Sequence, residues 1–177
     1  MAWQTEGSRT VYENPWISVR EDAVIGPGGS GIYGVVTMRH PAVFIVAVDE
    51  QDRICLVTLE RYTTGHSIEV PAGGSDGEDP LVAAQRELRE ETGLQATEWT
   101  PLGTMNALNG VTVAPEHVFL AQGLSTSGRD ARSEEGIDDV SWVPFDDVLR
   151  MIADGRITDG ETVAAIAYAG IRLGRFR

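Results

Sequence analysis

Glu87, Glu90 and Glu91 are spaced so that a helix would gather their carboxylates on one face, at about 100° per residue. Leu81, Ala84 and Leu88 fall on the neighbouring face, which can pack on a sheet. Left alone the carboxylates repel, because like charges three or four residues apart cost about 0.2–0.5 kcal/mol per pair. Glu90 and Glu91 also stand at the negative end of the helix dipole. A divalent cation turns this repulsion into a site, and an all-oxygen donor set suits Mg²⁺ or Mn²⁺ rather than Zn²⁺. The competing reading is a solvated, charged helix face paired locally with Arg86 and Arg89.

The elements that must position these residues are legible around them. Asp79-Pro80 offers an N-cap and a proline for the first turn, and Gly93-Leu94 a C-terminal stop, so a helix is predicted over 80–92. Before it, Glu69-Val70-Pro71-Ala72-Gly73-Gly74 ends a short strand in a glycine-rich loop. Further upstream, two strands near 16–20 and 32–36 flank the break Gly26-Pro27-Gly28-Gly29. Apolar runs at 42–48 and 54–59 read as a buried hairpin. Downstream, strands are predicted at 97–105, 117–121 and 140–143, then helices at 145–153 and 158–173. The second of these helices starts at Thr158-Asp159-Gly160-Glu161, which has capping-box spacing. The polar stretch 124–138, including Arg129 and Asp130, reads as a long mobile loop. Alternating strands and helices predict a mixed α/β domain.

The 177 residues carry 14 basic and 27 acidic side chains, a net charge of −13, and every basic residue is Arg. Arginine alone suits two-pronged bonds to phosphate or carboxylate. With no basic run, this charge excludes nucleic acid and anionic membrane as primary partners and leaves a small-molecule ligand. Cys55, the only cysteine, lies in an apolar run and reads as a buried hydrophobe. His40, His66 and His117 lack metal-ligand spacing. Neither a signal peptide nor a membrane span is evident, so a cytoplasmic location is expected.

Glu78, seven residues, then Arg86-Glu87-Leu88-Arg89-Glu90-Glu91-Thr92-Gly93-Leu94 resembles the Nudix hydrolase signature, G-x5-E-x7-R-E-U-x-E-E-x-G-U with U apolar. Eight of the nine specified positions match; Ala72 stands at the first, and counted from Gly73 the loop is one residue short. Val11-Tyr12-Glu13-Asn14-Pro15-Trp16, Gly31 through Val36, Leu59-Glu60-Arg61-Tyr62, Glu69 through Gly73 and Ile157 through Thr162 are similar to the ADP-ribose pyrophosphatase branch. The resemblance covers nearly the whole chain. It implies a Nudix α/β/α sandwich with a mixed sheet over 41–177 and an N-terminal antiparallel strand unit over 1–40, which pairs two subunits into a homodimer.

The resemblance further implies Mg²⁺-dependent (Mn²⁺ as an alternative) attack of water on the pyrophosphate of a nucleoside diphosphate sugar, with ADP-ribose the leading substrate. Glu87 and Glu91 would be the principal metal ligands, with Glu90 and the Ala72 carbonyl alongside, and Arg86 would orient the carboxylates. Arg61 and Glu69 match cleft-lining positions; an ion pair or a loop bond is the alternative for them. Trp16 and Tyr33 would stack on a nucleobase or pack in the core or an interface. The activating base would be a loop acid: Glu116, Glu134 and Glu135 are the candidates, because Val113-Ala114 stands where related sequences often read Asp-Glu. Leu108-Asn109-Gly110 likewise replaces a Ser-Pro-Gly turn. Hydrolysis of another nucleotide (a GDP-sugar, a dinucleotide or a nucleoside triphosphate) and a non-catalytic nucleotide-sensing module are the alternatives.

Overall fold

The computed structural model describes residues 2–128 and 132–176. Three sheets organise them. β1 (Gln4–Glu13), β2 (Ile17–Gly26) and β3 (Gly29–Met38) run antiparallel, and the two-residue β9 (Thr112–Val113) joins β3 in parallel. A mixed sheet follows the order β7 (Ala72–Gly74), β4 (Ala42–Ala47), β10 (Pro115–Thr126), β8 (Leu94–Asn106), with β10 and β4 parallel. β11 (Ile137–Pro144), β5 (Arg53–Arg61) and β6 (Gly65–Glu69) form an antiparallel sheet.

β4 shows why this is a sandwich. Successive strand residues face opposite ways, and here both faces are covered. Val43, Ile45 and Ala47 pack with Ala83, Ala84 and Leu88 of α1 (Pro80–Thr92). Phe44, Val46 and Val48 pack with Phe145 and Val148 of α2 (Phe145–Ala153) and with Ala165, Ile166 and Ala169 of α3 (Gly160–Arg172). Cys55 is fully buried, and burial pushes its thiol up to about 12, with Glu91 and Asp49 adding to the shift.

The predicted α1 and α2 match the observed helices end to end. Asp79 caps α1, accepting from the Leu81 N–H at 2.9 Å, and Gly93 closes it at φ 71°, the left-handed conformation that glycine adopts without a Cβ penalty. Four expectations are corrected. The N-terminal unit has a third strand, β1, exposed along its whole length and so without a burial pattern to announce it. The runs at 42–48 and 54–59 are not a paired hairpin: they lie in different sheets and share the isolated bridge Val48–Ile54. Asp159 rather than Thr158 caps α3, its carboxylate accepting from the Thr162 N–H at 2.7 Å. The long loop is shorter than read, because pairing with β8 carries β10 through Thr126; Arg129 and Asp130 lie outside the described residues.

The glycine loop closes despite its missing residue. Asp76 (φ 48°) and Gly77 (φ 86°) occupy the two central positions of a turn whose Glu78 N–H donates to the Ser75 carbonyl at 2.8 Å. Two successive positive φ values are the type I′ geometry that Asp-Gly favours.

Replacing Asp79 by Ala leaves the Leu81 N–H without its cap and is expected to lower unfolding free energy by about 1 kcal/mol. Urea denaturation checks this: the midpoint should fall with the slope unchanged.

Candidate active site

Two of the three carboxylates on α1, those of Glu87 and Glu90, are held by one arginine. Arg86 Nε donates to Glu78 Oε2 at 2.9 Å, Nη1 to Glu87 Oε1 at 2.7 Å and Glu90 Oε2 at 3.1 Å, and Nη2 to the Gly74 carbonyl at 2.9 Å. One guanidinium thereby ties the helix to the glycine loop. Burial works against its charge, but the bond to Glu78 and the fields of Glu87 and Glu90 hold it well above the usual arginine range.

Glu91 lies deeper. Its Oε2 accepts from the Ala72 N–H at 2.9 Å, and its carboxyl is pushed up to about 8, chiefly by burial, with Glu87 and Glu69 adding to the shift against the Ala72 bond and Arg61. Glu87 is also raised, first by burial, then by the charges of Glu90 and Glu135, against the opposing pull of Arg86. Gly73 leaves room beside it: a Cβ there would fall on the Glu87 carboxylate and displace it.

The other wall belongs to a different sheet. Glu69 ends β6, Ala72 starts β7, and the two residues between them cross from one sheet to the other. The crossing is pinned by the Val70 N–H donating to Thr162 Oγ1 at 3.1 Å and the Ile45 N–H donating to the Pro71 carbonyl at 2.9 Å. Arg61 grips Glu69 with two bonds, Nε to Oε1 at 3.0 Å and Nη2 to Oε2 at 2.5 Å, the two-pronged geometry of a strong ion pair. Arg61 and Glu69 line a cavity of about 380 Å³ with Ser67, Thr158, Asp159 and Glu161. Sequence reasoning took Asp159 and Glu161 only as helix-capping residues; their place in Ile157 through Thr162, a stretch that also carried the family likeness, was the signal of something more.

The three candidate bases separate. Glu135 is exposed, yet its charge acts on Glu87, which puts it on the side of the α1 carboxylates; Glu134 is its exposed neighbour. Glu116 is buried on β10, and the charges that act on it are those of Glu161 and Asp159. Trp16 is exposed just before β2, and Tyr33 packs edge-to-face on Trp3 at 5.4 Å while donating to the Gly110 carbonyl. Neither lines the cavity around Arg61. That Tyr33 bond, with the Val36 N–H donating to the Val111 carbonyl at 2.9 Å, docks the Leu108-Asn109-Gly110 turn on the N-terminal sheet.

As a donor set, Glu87, Glu90 and Glu91 fit a hard divalent cation: all donors are carboxylate oxygens, and the bonds above engage one oxygen of each. Among the described residues no three are drawn together as a finished ligand shell.

Comparison with known proteins places this geometry. The NUDIX domain family matches residues 38–166, and the nucleoside diphosphate sugar hydrolase N-terminal domain matches residues 3–36. An ADP-ribose pyrophosphatase of Mycobacterium tuberculosis is 37% identical over 96% of this chain and 81% of its own. A CMP-5'-(N-acetyl-N-hydroxy-3-aminopropyl)phosphonate hydrolase of Streptomyces rubellomurinus is 30% identical over 97% of this chain and 84% of its own. The crystal structure of an ADP compounds hydrolase superposes with a TM-score of 0.85 at 20% identity, covering 98% of this chain and 95% of that one, which is a likeness of fold.

Burial, with Glu161 and Asp159, pushes Glu116 up to about 7. Between pH 4.5 and 7 the unfolded chain therefore releases a proton that the folded chain keeps, and this group's contribution to stability falls as pH rises. Glu116→Gln removes that dependence. Thermal melts from pH 5 to pH 8 should show the variant gaining on the parent protein as pH rises.

Proposed function

Because this chain belongs to the Nudix hydrolases, we propose that it hydrolyses the pyrophosphate linkage of a nucleoside diphosphate sugar, ADP-ribose first among them, to a nucleoside monophosphate and a sugar phosphate. The observation that carries the reading is the buried Glu87–Glu91 pair, Glu87 held with Glu90 by Arg86 and Glu91 by the Ala72 N–H, beside the Arg61–Glu69 wall whose charges act on Glu91. The match to the nucleoside diphosphate sugar hydrolase N-terminal domain and the pyrophosphatase relative support the substrate class.

In this reading Glu87, Glu91 and Glu90, with the Ala72 carbonyl, hold Mg²⁺, or Mn²⁺ in its place. Bound there, the ion neutralises phosphate oxygens and lowers the pKa of water. Arg86 keeps the carboxylates apart and oriented. Arg61, kept charged by Glu69, faces the phosphates, and Glu135 takes the proton from the attacking water; its action on Glu87 favours it over Glu134 and Glu116. The exposed apolar side chains of the N-terminal sheet, Val11, Tyr12, Trp16, Ile32 and Met38, support a homodimer formed on that sheet, with Trp16 and Tyr33 near the nucleobase. The Val113-Ala114 and Leu108 departures and the phosphonate-hydrolase relative favour, as a second reading, another nucleotide adduct with the same bond-breaking machinery.

Incubation with Mg²⁺ and a panel of nucleotide sugars, dinucleotides and triphosphates should release AMP and ribose 5-phosphate from ADP-ribose fastest, as read by chromatography. Glu91→Gln should fold with a melting temperature no lower than the parent's and lose turnover at least about 100-fold; near-normal turnover would remove Glu91 from the metal site. Glu135→Gln should lower kcat by about 10²–10⁴ while Glu134→Gln changes it far less, and equal effects would reject the assignment of the base.

A further inference from the structure

One buried acid has no partner. Glu116 is 6% exposed, and its Oε2 is fully buried without a hydrogen-bond partner among the described residues. Along β10 it shares a face with Val118 and Leu120, both packed in the core on the α3 side, so it occupies a position where strand alternation would place an apolar side chain. An unmet buried acceptor is a standing cost that an apolar residue would not incur.

Glu116 lines a second cavity, of about 270 Å³, together with Met105, Asn106, Leu108, Ala164 and Glu161. Gly160 and Glu161 line both this cavity and the one beside Arg61 and Glu69, so the two adjoin across the start of α3. The charges acting on Glu116 are acidic, from Glu161 and Asp159, and among the described residues no group donates to its Oε2. A largely apolar wall with carboxylate acceptors matches a sugar ring, which presents C–H faces and vicinal hydroxyl donors.

We infer that Glu116, with Glu161, forms a specificity subsite that accepts hydrogen bonds from the vicinal hydroxyls of the sugar half of the substrate. The inference rests on the function proposed above and adds the residue that reads the sugar. Phosphates lie between the Arg61 wall and the α1 carboxylates, and the sugar extends past Glu161 into the second cavity. No covalent step involves Glu116; it selects and places.

The test compares two substrates that share the scissile bond, ADP-ribose and the ethyl ester of ADP, which has no hydroxyls beyond the diphosphate. Both release AMP. Glu116→Leu should reduce kcat/KM for ADP-ribose at least about 10-fold more than for the ethyl ester, and Glu116→Gln, which retains an acceptor, should recover part of the difference. An equal fall on both substrates, or no fall on either, overturns the inference. Melting curves confirm that both variants fold. Calorimetric binding of the two compounds in EDTA separates the two levels of the argument: parent protein that binds ADP-ribose better than the ester, with Glu116→Leu abolishing the preference, upholds the subsite even if turnover fails and the proposed reaction is rejected. Absence of any such preference in the parent protein overturns the subsite whatever the turnover.

Discussion

Repulsion among carboxylates on one turn of helix is the constraint around which this site is built, and Arg86 is what contains it. Its guanidinium reaches Glu78, Glu87, Glu90 and the Gly74 carbonyl at once. A lysine could not replace it, since a point charge with three rotatable donors lacks the planar fork these bonds share. The same bonds orient α1 against the glycine loop, and the loop is itself paired to β4 through Ala72, Gly73 and Gly74. Holding the acids together and fixing the helix on the sheet are therefore one interaction, and Gly73 completes it by leaving room for the Glu87 carboxylate.

Around this centre the negative charge is concentrated beyond what the folded chain needs. Glu69, Glu87, Glu91 and Glu116 are all buried, and Asp159 and Glu161 stand at the start of α3. Arg86 and Arg61 oppose part of the repulsion. The rest is stored as carboxyl groups displaced upward from their usual range, as Glu91, Glu116 and Glu161 are. Clusters of groups perturbed by burial and by one another mark places where a cationic or donor-bearing ligand is energetically awaited.

Much of this was readable from the chain. The helix carrying the carboxylates announced both ends, through Asp79-Pro80 and Gly93, and its apolar residues fell on the face that packs on β4. Nudix membership was carried by the resemblance of Glu78 and of Arg86 through Leu94 to the family signature, and the family match over residues 38–166 bears it out. What escaped reading depends on partners distant in sequence. β1 has no burial alternation because nothing among the described residues covers it. The run before Asp49 and the run after it look like a hairpin but diverge at a corner, a choice made by β10 and β11. Glu116 looked like a loop acid; only the pairing of β10 with β4 and β8 turns it inward. The loop that looked deficient by one residue is closed by Asp76-Gly77, a pair whose turn preference was present in the sequence but unread.

The corner between the two core sheets also decides how the cleft fits a ligand. The α1 carboxylates ride on the mixed sheet, whereas Arg61 and Glu69 ride on the antiparallel one. Among the described residues those sheets share the isolated bridge Val48–Ile54, the two-residue crossing before Ala72 and a common core. Because Phe44 and Val46 of one sheet pack in one core with Ile54 and Leu56 of the other, the packing between the sheets sets the separation of the two cleft walls. Residues far from either wall, packed where the sheets meet, thereby set the aperture of the cleft.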